Sequence, residues 1–404
     1  MENRIAYVSF DVVPGPKGAA THIEAFARAL AAAFGGLDLI TIAEAHASEE
    51  CDGAIRRTTL PAAGASLIDR VLCFRRFLTH WLETRSFEAI QYRSIFEGVP
   101  LLALRGRTRL IFEVNGLPSV ELKYRYPDVV DDRDVMRKIV SQEQACFEAA
   151  DAIVTPGGVT REYLVDRRRV SPQKVHVVAN GVDLNEFQPR HCDPDGHIRL
   201  IYFGTLSSWQ GVEIAIRAVA LVQQVAPATL SIVGPGSERQ RGALVGLATK
   251  LGIRERIAVL PPVSRTELNL LLCDADAVLA PLALNDRNVV QGCCPLKVLE
   301  GMAAGLPVIA SDLPAVRELG SDGVHFVLVK PGSVDQLAGA IVRLRSDRDL
   351  AMRIGRNARA HVAANYSWER SGAALVSIYQ DLGLRAIHSE AHPWDPPTPL
   401  VARG

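Results

Sequence analysis

Gln291-Gly-Cys-Cys-Pro295-Leu-Lys297-Val-Leu-Glu300-Gly-Met-Ala-Ala-Gly305-Leu-Pro307-Val-Ile-Ala-Ser-Asp312 is the stretch whose reading decides the fold. It predicts one short helix between two turns. Pro295 suits the first helical position, where no backbone donor is lost. Gly305 is a stop, Pro307 bars continuation, and the strand Val308–Ala310 follows. Lys297, Glu300, Gly301 and Ala304 fall at i, i+3, i+4 and i+7 and share one face. Leu296, Leu299 and Ala303 lie on another, with Val298 and Met302 beside them. A helix start with free amides and a lysine in its first turn suits a diphosphate, and a carboxylate one turn further on suits the paired hydroxyls of a ribose. A solvated Lys–Glu pair worth about 0.3 kcal/mol leaves the same pattern.

Outward from this unit, apolar runs of strand length alternate with segments of helix length, the signature of α/β architecture with parallel sheets. In the first half Arg4–Phe10 reads as a strand, Pro14-Gly15-Pro16-Lys17-Gly18 as a turn-rich loop and Ala20–Ala33 as a helix. Leu37–Ala43 is a strand, Ile68–Thr84 a helix, and Ala89–Tyr92 and Arg109–Val114 are strands. Asp131–Ala149 is a long helix, and Ala152–Thr155 and Val175–Val178 are short strands. Asn180-Gly-Val-Asp183 makes a tight turn, and the polar, irregular Pro189–Gly196 places a linker. The pattern then restarts, with strands at Ile198–Phe203, Thr229–Val233, Ile257–Leu260 and Ala277–Ala280. Helices at Val212–Val225, Arg239–Leu251 and Arg265–Cys273 alternate with them, and Val334–Arg345 and Leu350–Asn365 close the domain. Buried parallel strands are near-continuously apolar, which Leu200–Phe203 and Ala277–Ala280 satisfy. The expectation is two Rossmann-like α/β domains, residues 1–190 and 191–365, followed by 366–404, where a proline-rich tail around Pro393-Trp394-Asp395-Pro396-Pro397 is extended or disordered.

A chain of 404 residues with 48% hydrophobic and 22% charged residues suits two ordinary globular domains. A formal net charge of zero argues against a bulk polyanion partner, so nucleic acid is not expected. No uninterrupted apolar run reaches the roughly 18 residues a membrane span needs. Met1-Glu2-Asn3-Arg4-Ile5 leads straight into a strand, without a charged-then-apolar signal pattern. Seven cysteines form neither a disulfide framework nor a Cys-x-x-Cys metal spacing, and a reducing cytoplasm is the simplest setting.

Several turns just past strands present chemistry. In Phe203-Gly204-Thr205-Leu206-Ser207-Ser208-Trp209-Gln210-Gly211 the two glycines permit a loop that turns backbone amides toward a ligand at the carboxyl edge of a parallel sheet. Val233-Gly234-Pro235-Gly236-Ser237 lacks the third glycine and later acid of a dinucleotide fingerprint, which disfavours a dehydrogenase; Gly234 and Gly236 instead suit close approach of a nucleotide to the backbone. In Pro14–His22, Gly15 and Gly18 allow a ligand to approach from the opposite half, and His22 is placed to donate to a phosphate or a sugar hydroxyl. Glu113-Val-Asn115-Gly116 ends a strand, where Glu113 and Asn115 suit sugar hydroxyls and Asn-Gly alone suits a turn. Asp274-Ala-Asp276 resembles a magnesium pair, but helix capping explains it better. Ile68–Phe87 mixes Leu72, Phe74, Phe77, Leu78 and Trp81 with Arg70, Arg75, Arg76 and Arg85; a helix lying in a bilayer surface and a helix covering the sheet both look like this.

Together these motifs resemble family-four retaining glycosyltransferases. The likeness rests on the glycine-containing first loop, Asn180-Gly-Val-Asp183, and Leu299-Glu300-Gly-Met-Ala-Ala-Gly-Leu-Pro-Val308, in that order. It implies the GT-B fold, with two Rossmann-like domains across a cleft and a last helix, starting near Tyr366-Ser-Trp368, that crosses back onto the first. It implies transfer of a sugar from a UDP- or GDP-linked donor with retention of configuration and no required metal or cofactor. The donor would lie on the second domain, the glycan or lipid-linked acceptor on the first. Many members carry an Arg and a Lys on the diphosphate where this chain has Thr205 and Gln210, and a donor-sugar Glu where it has Gly292. Glu300 matches the ribose-binding Glu. A subgroup with Gly-Thr-Leu, Trp-Gln-Gly and Pro-Leu-Lys resembles enzymes of bacterial exopolysaccharide or cell-surface glycan assembly.

The resulting expectation assigns catalysis to Lys297, His22, Glu113 and Asn115. Donor binding falls to Gly18, Gly204, Thr205, Gln210, Gly234, Gly236, Pro295, Leu296, Lys297 and Glu300. Lys297 and the helix amides would then replace the missing cations. The setting is cytoplasmic, with peripheral contact at the inner membrane surface through Ile68–Phe87. The alternatives are a catalytically silent nucleotide-sugar-binding subunit, motivated by Thr205, Gln210 and Gly292, and a GT-B epimerase, which the missing carboxylate at Gly292 disfavours.

Overall fold

The computed structural model describes residues 4–15, 17–44, 46–187 and 197–387. The expected linker at 189–196 and the proline-rich tail at 392–404 lie outside the described residues.

The first sheet contains β1 (Ile5–Val8), β2 (Leu37–Ala43), β3 (Ser48–Asp52), β4 (Ile55–Pro61), β5 (Ala89–Tyr92), β6 (Arg109–Glu113), β7 (Ala152–Thr155) and β8 (Val175–Val177). Its spatial order is β3-β4-β2-β1-β5-β6-β7-β8, parallel except for the antiparallel β3–β4 edge. The second sheet contains β9 (Ile198–Phe203), β10 (Ala228–Val233), β11 (Ile257–Leu260), β12 (Ala277–Ala280), β13 (Val308–Ser311) and β14 (Val327–Val329), in the order β11-β10-β9-β12-β13-β14 and parallel throughout. In both, helices cover the faces because the buried strands are apolar on both sides: Ile5–Val8, Ala89–Tyr92, Ala152–Thr155 and Ala277–Ala280 are buried along their whole length.

The β3–β4 hairpin was not expected, because Ser-Glu-Glu-Cys-Asp is polar and wholly exposed and carries no alternating pattern. The helices Ile95–Leu101 and Pro118–Arg125 and the π-helical turns Tyr163–Arg167 and Arg287–Gln291 were also unforeseen. They are too short to establish a period.

After the helix Arg348–Asn365 the chain returns to the first sheet's flank. Val182 bridges to Ser367, and a Cβ on Gly181 would run into the Ser367–Trp368 backbone. The helix Trp368–Asp381 then packs on the helix Gly18–Phe34, with Gly372 admitting Ala29 and the Tyr379 ring tilted at 39° against Phe34. The Tyr379 hydroxyl donates to Gln91 in β5 at 2.9 Å. The second domain is thereby tied to the first by a buried helix as well as by the junction. Each fully buried side chain such as Leu375 or Tyr379 contributes about 2 kcal/mol to that tie.

The helix Leu67–Glu83 covers the first sheet with Val71, Phe74, Leu78 and Trp81, while Ile68, Leu72 and Phe77 face outward. Arg75 is committed to the fold: its guanidinium donates to the carbonyls of Ile95 and Phe96 and to Gln142. Arg85 lies over the Trp81 ring. Among the described residues no helix is long and apolar enough to cross a membrane.

Candidate active site

The carboxyl edges of the two sheets face each other, and the loops that leave them meet. Lys297 lies at the centre of this meeting. Its helix, Leu296–Ala303, begins one residue later than expected: Pro295 is the N-cap with ψ 101, so Leu296 takes the first helical position. Gly305 at φ +70 closes the helix, as its lack of a side chain allows. The whole run from Lys297 to Ala303 is buried, which excludes the alternative of a solvated Lys–Glu pair.

The Lys297 amine points at the loop after β9. It donates to the Tyr202 hydroxyl at 3.1 Å and to the Gln210 side-chain oxygen, and stands 4.2 Å from the centre of the Tyr202 ring. Gly204 at φ +128 makes room for it, since a Cβ there would stand 3.3 Å from the amine. Tyr202 in turn donates to the Thr205 carbonyl at 2.6 Å. The amine thus bonds to neutral partners, Tyr202 and Gln210, and position 210 is one of the two where the resemblance implies a cation. Burial pulls its pKa down to about 7; Cys293 and Glu300 oppose this and the Arg287 guanidinium adds to it.

Gly234 and Gly236 admit other parts of the protein. A Cβ on Gly234 would overlap the Gly204 carbonyl, and one on Gly236 would meet Leu206 at 2.6 Å. These glycines let two loops of the protein close on each other. Gly211 at φ +67 likewise yields to the Pro281 carbonyl.

Glu300 is not presented to solvent. Arg265 donates to it at 2.5 Å and to Glu186 at the same distance, while stacking 5.1 Å from Phe187. A ribose would share this carboxylate with a standing ion pair. Gly292 has φ +83, and a Cβ there would meet Val159 and Thr160 of the first domain within 3.0 Å. The position is closed to a glutamate by backbone conformation and by packing.

The first domain's candidates form one buried network. Glu113, 1% exposed, receives Tyr7 at 2.5 Å, Gln91 at 2.6 Å, Arg93 at 2.9 Å and the Asn115 amide. His22 Nε2 lies 2.8 Å from the same carboxylate, off the ideal hydrogen-bond line. Burial alone would raise this acid, but the His22 and Arg93 charges and the bonds from His22 and Tyr7 prevail and hold it well below the ordinary carboxylate range. Glu113, expected to meet sugar hydroxyls, is committed to protein partners; the half-buried Asn115 gives it one bond from its side-chain amide. His22 is 3% exposed and lies 2.6 Å from the Asn180 oxygen through Nδ1; Asn180 in turn donates to the Cys294 carbonyl at 2.8 Å. His22 therefore links the first domain to the start of the lysine-bearing helix. Gly18 supports the same approach, since a Cβ there would stand 2.8 Å from Leu296.

Asp276 accepts from the Arg199 amide at 2.7 Å, and Asp274 occupies the C-cap position of the helix Arg265–Cys273, its backbone N–H donating to the Leu270 carbonyl at 3.2 Å. Sequence reasoning missed Tyr202, Trp209 and Arg287. Arg287 sits on an unforeseen π-helical turn with no local motif; Tyr202 was read only as strand.

Two family models match the chain. Residues 16–186 match Glycosyltransferase Family 4, and residues 197–347 match Glycosyl transferases group 1. The chain belongs to the family-four glycosyltransferases. Among relatives of this family, a D-inositol 3-phosphate glycosyltransferase of Salinispora arenicola is 30% identical over 60% of this chain and 57% of its own length. The chain therefore spans less than two thirds of that curated relative. A sucrose-phosphate synthase from Thermosynechococcus elongatus superposes with a TM-score of 0.79 at 21% identity, covering 95% of this chain and 99% of that one. Anabaena HepE, solved in complex with UDP-glucose, superposes at 0.70 with 17% identity, covering 93% and 99%. The fold of this family-four chain is GT-B.

Proposed function

We propose that the chain transfers a sugar from a nucleotide diphosphate sugar to a glycan or lipid-linked acceptor with retention of configuration and without a metal. The observation that carries this reading is the buried amine of Lys297, held against the Gly204–Gly211 loop in a chain that lacks cations at 205 and 210. A buried amine facing a glycine is suited to an anion: a diphosphate would restore its proton and repay the desolvation. The UDP-glucose complex of HepE supports a nucleotide-sugar donor.

In the mechanism that fits, the bond from the anomeric carbon to the diphosphate breaks, and Lys297 and the first-turn amides of its helix stabilise the charge that develops on the leaving oxygen. The acceptor hydroxyl bonds to the same face of that carbon and its proton passes to the released phosphate oxygen, since Glu113 is too deeply committed to act as a base. His22, through Asn180 and Cys294, positions the helix; closure of the domains excludes water. Assembly of exopolysaccharide or cell-surface glycan is the process this chemistry would serve. The test is calorimetric titration of UDP- and GDP-sugars with wild type and Lys297→Ala, followed by product analysis with an oligosaccharide acceptor. Donor binding that ignores the substitution refutes the role of Lys297.

The pairing of Glu300 with Arg265 and the closed position at Gly292 favour a second reading, a silent nucleotide-sugar-binding subunit. Binding without transfer or slow hydrolysis would select it.

A further inference from the structure

We propose that Arg287 is a second cation of the donor site, and that Glu121 of the first domain holds it as a stand-in for the donor's diphosphate. Donor binding would then be coupled to release of an interdomain latch. This deepens the reading above and rests on it.

Arg287 opens the π-helical turn Arg287–Gln291. Its guanidinium stacks 5.2 Å from the centre of the Trp209 ring, and Trp209 belongs to the loop that meets Lys297. Asn288, wholly buried, donates to the carbonyls of Trp209 and Ala283 at 2.8 Å and accepts from Arg287 at 3.0 Å. The turn and the loop are therefore one rigid wall, and that wall carries the cation. Arg287 is close enough to Lys297 for the two charges to repel. The Cys293 side chain acts on both the half-buried Arg287 and the buried Lys297, and a group with two or more negative charges would pair with the two cations more strongly than a thiol does.

The carboxylate partner of Arg287 comes from across the cleft. Glu121 on the helix Pro118–Arg125 accepts its Nε proton at 3.0 Å and also accepts from Gln291 at 3.3 Å. Beside it, Lys123 and Tyr124 both bond to Asp286, Tyr124 lies edge-on to Trp209 at 5.8 Å, and the Leu117 amide donates to Gln291 at 2.9 Å. One short helix of the acceptor-side domain thus closes over the wall through a carboxylate that occupies its cation. A diphosphate arriving there competes with Glu121, whose charge opposes its entry.

Titration of UDP, GDP and the corresponding nucleosides into wild type, Glu121→Gln, Arg287→Gln, the double variant and Lys297→Ala tests this, with thermal unfolding to establish that each variant is folded. Glutamine at 121 keeps the shape and the bond from Gln291. The expected result is about tenfold tighter diphosphate binding in Glu121→Gln, a loss of similar size in Arg287→Gln, and no gain from Glu121→Gln when Arg287 is absent. The nucleosides should respond to none of these changes. An equal gain from Glu121→Gln in both backgrounds, or no gain at all, overturns the latch. Binding that is weakened by Lys297→Ala but indifferent to Arg287→Gln overturns the role of Arg287 while leaving the proposed function standing. Failure of wild type to bind either diphosphate overturns both.

Discussion

The amine of Lys297 lies 3.1 Å from the hydroxyl of Tyr202 and 4.2 Å from the centre of its ring. A lysine so placed is buried against neutral and π-electron partners, with its pKa pulled down to about 7 by desolvation. It carries its proton below that pH and loses it above. Donor affinity, measured as kcat/KM for the nucleotide sugar, should therefore fall as pH rises through about 7 in wild type. In Lys297→Ala this inflection should vanish and turnover should drop about a hundredfold or more.

The same burial makes a stability prediction. The native amine releases its proton near 7, whereas the unfolded one holds it to about 10.5. Between those values the unfolded chain binds more protons, so unfolding free energy rises with pH across the window. Lys297→Met should flatten that rise and increase the melting temperature near neutral pH, read by calorimetry from pH 6 to 9. A lower melting temperature at every pH would contradict the account.

Glu113 works in the opposite direction. Its carboxylate, held low by His22 and Arg93, contributes stability above the unfolded carboxylate value, and that contribution is lost as the pH falls toward the native one. Glu113→Gln leaves His22 buried without its carboxylate and Arg93 with Asp11 alone, 2.9 Å away. The expected cost is about 3–5 kcal/mol by denaturant unfolding. A stable variant defective only in kcat would restore Glu113 to the chemistry.

Gly292→Glu, which writes in the residue many relatives carry, should not raise activity. With φ +83 and Val159 and Thr160 in the way, it should cost about 1–3 kcal/mol and loosen the domain contact. A stable variant with faster transfer would show that the cleft opens more widely than its packing implies.

Arg75 and Arg76 are neighbours in sequence with different roles. Arg75→Ala removes bonds to Ile95, Phe96 and Gln142 and should cost about 1–3 kcal/mol. Arg76, whose guanidinium lies over the Phe77 ring, should tolerate alanine within about 0.5 kcal/mol. Liposome flotation of the Arg76 variant is accordingly the clean test of peripheral membrane contact.

The α/β alternation, the restart of the pattern after the junction, and the helix after Pro295 were all readable in the chain. Each depends on local periodicity and on prolines and glycines that act over a few residues. Lys297 was singled out for the same reason, because a cation in the first turn of a helix is a local fact. The roles of its neighbours were not local. Glu113 looked like a cleft residue at a strand end until Tyr7, Gln91, Arg93 and His22, brought in from other elements, filled it. Gly234 and Gly236 looked open to a ligand until the loop at Gly204–Leu206 closed on them.

The order of apolar and polar residues along this chain by itself determined two parallel-sheet domains and a lysine-bearing helix between their loops, because secondary structure answers to spacing. Only the tertiary structure decided which charges are spent and which remain for a ligand. A side chain's partners come from residues as far apart as Glu121 and Arg287, and their proximity is set by how two domains close, which no periodicity records.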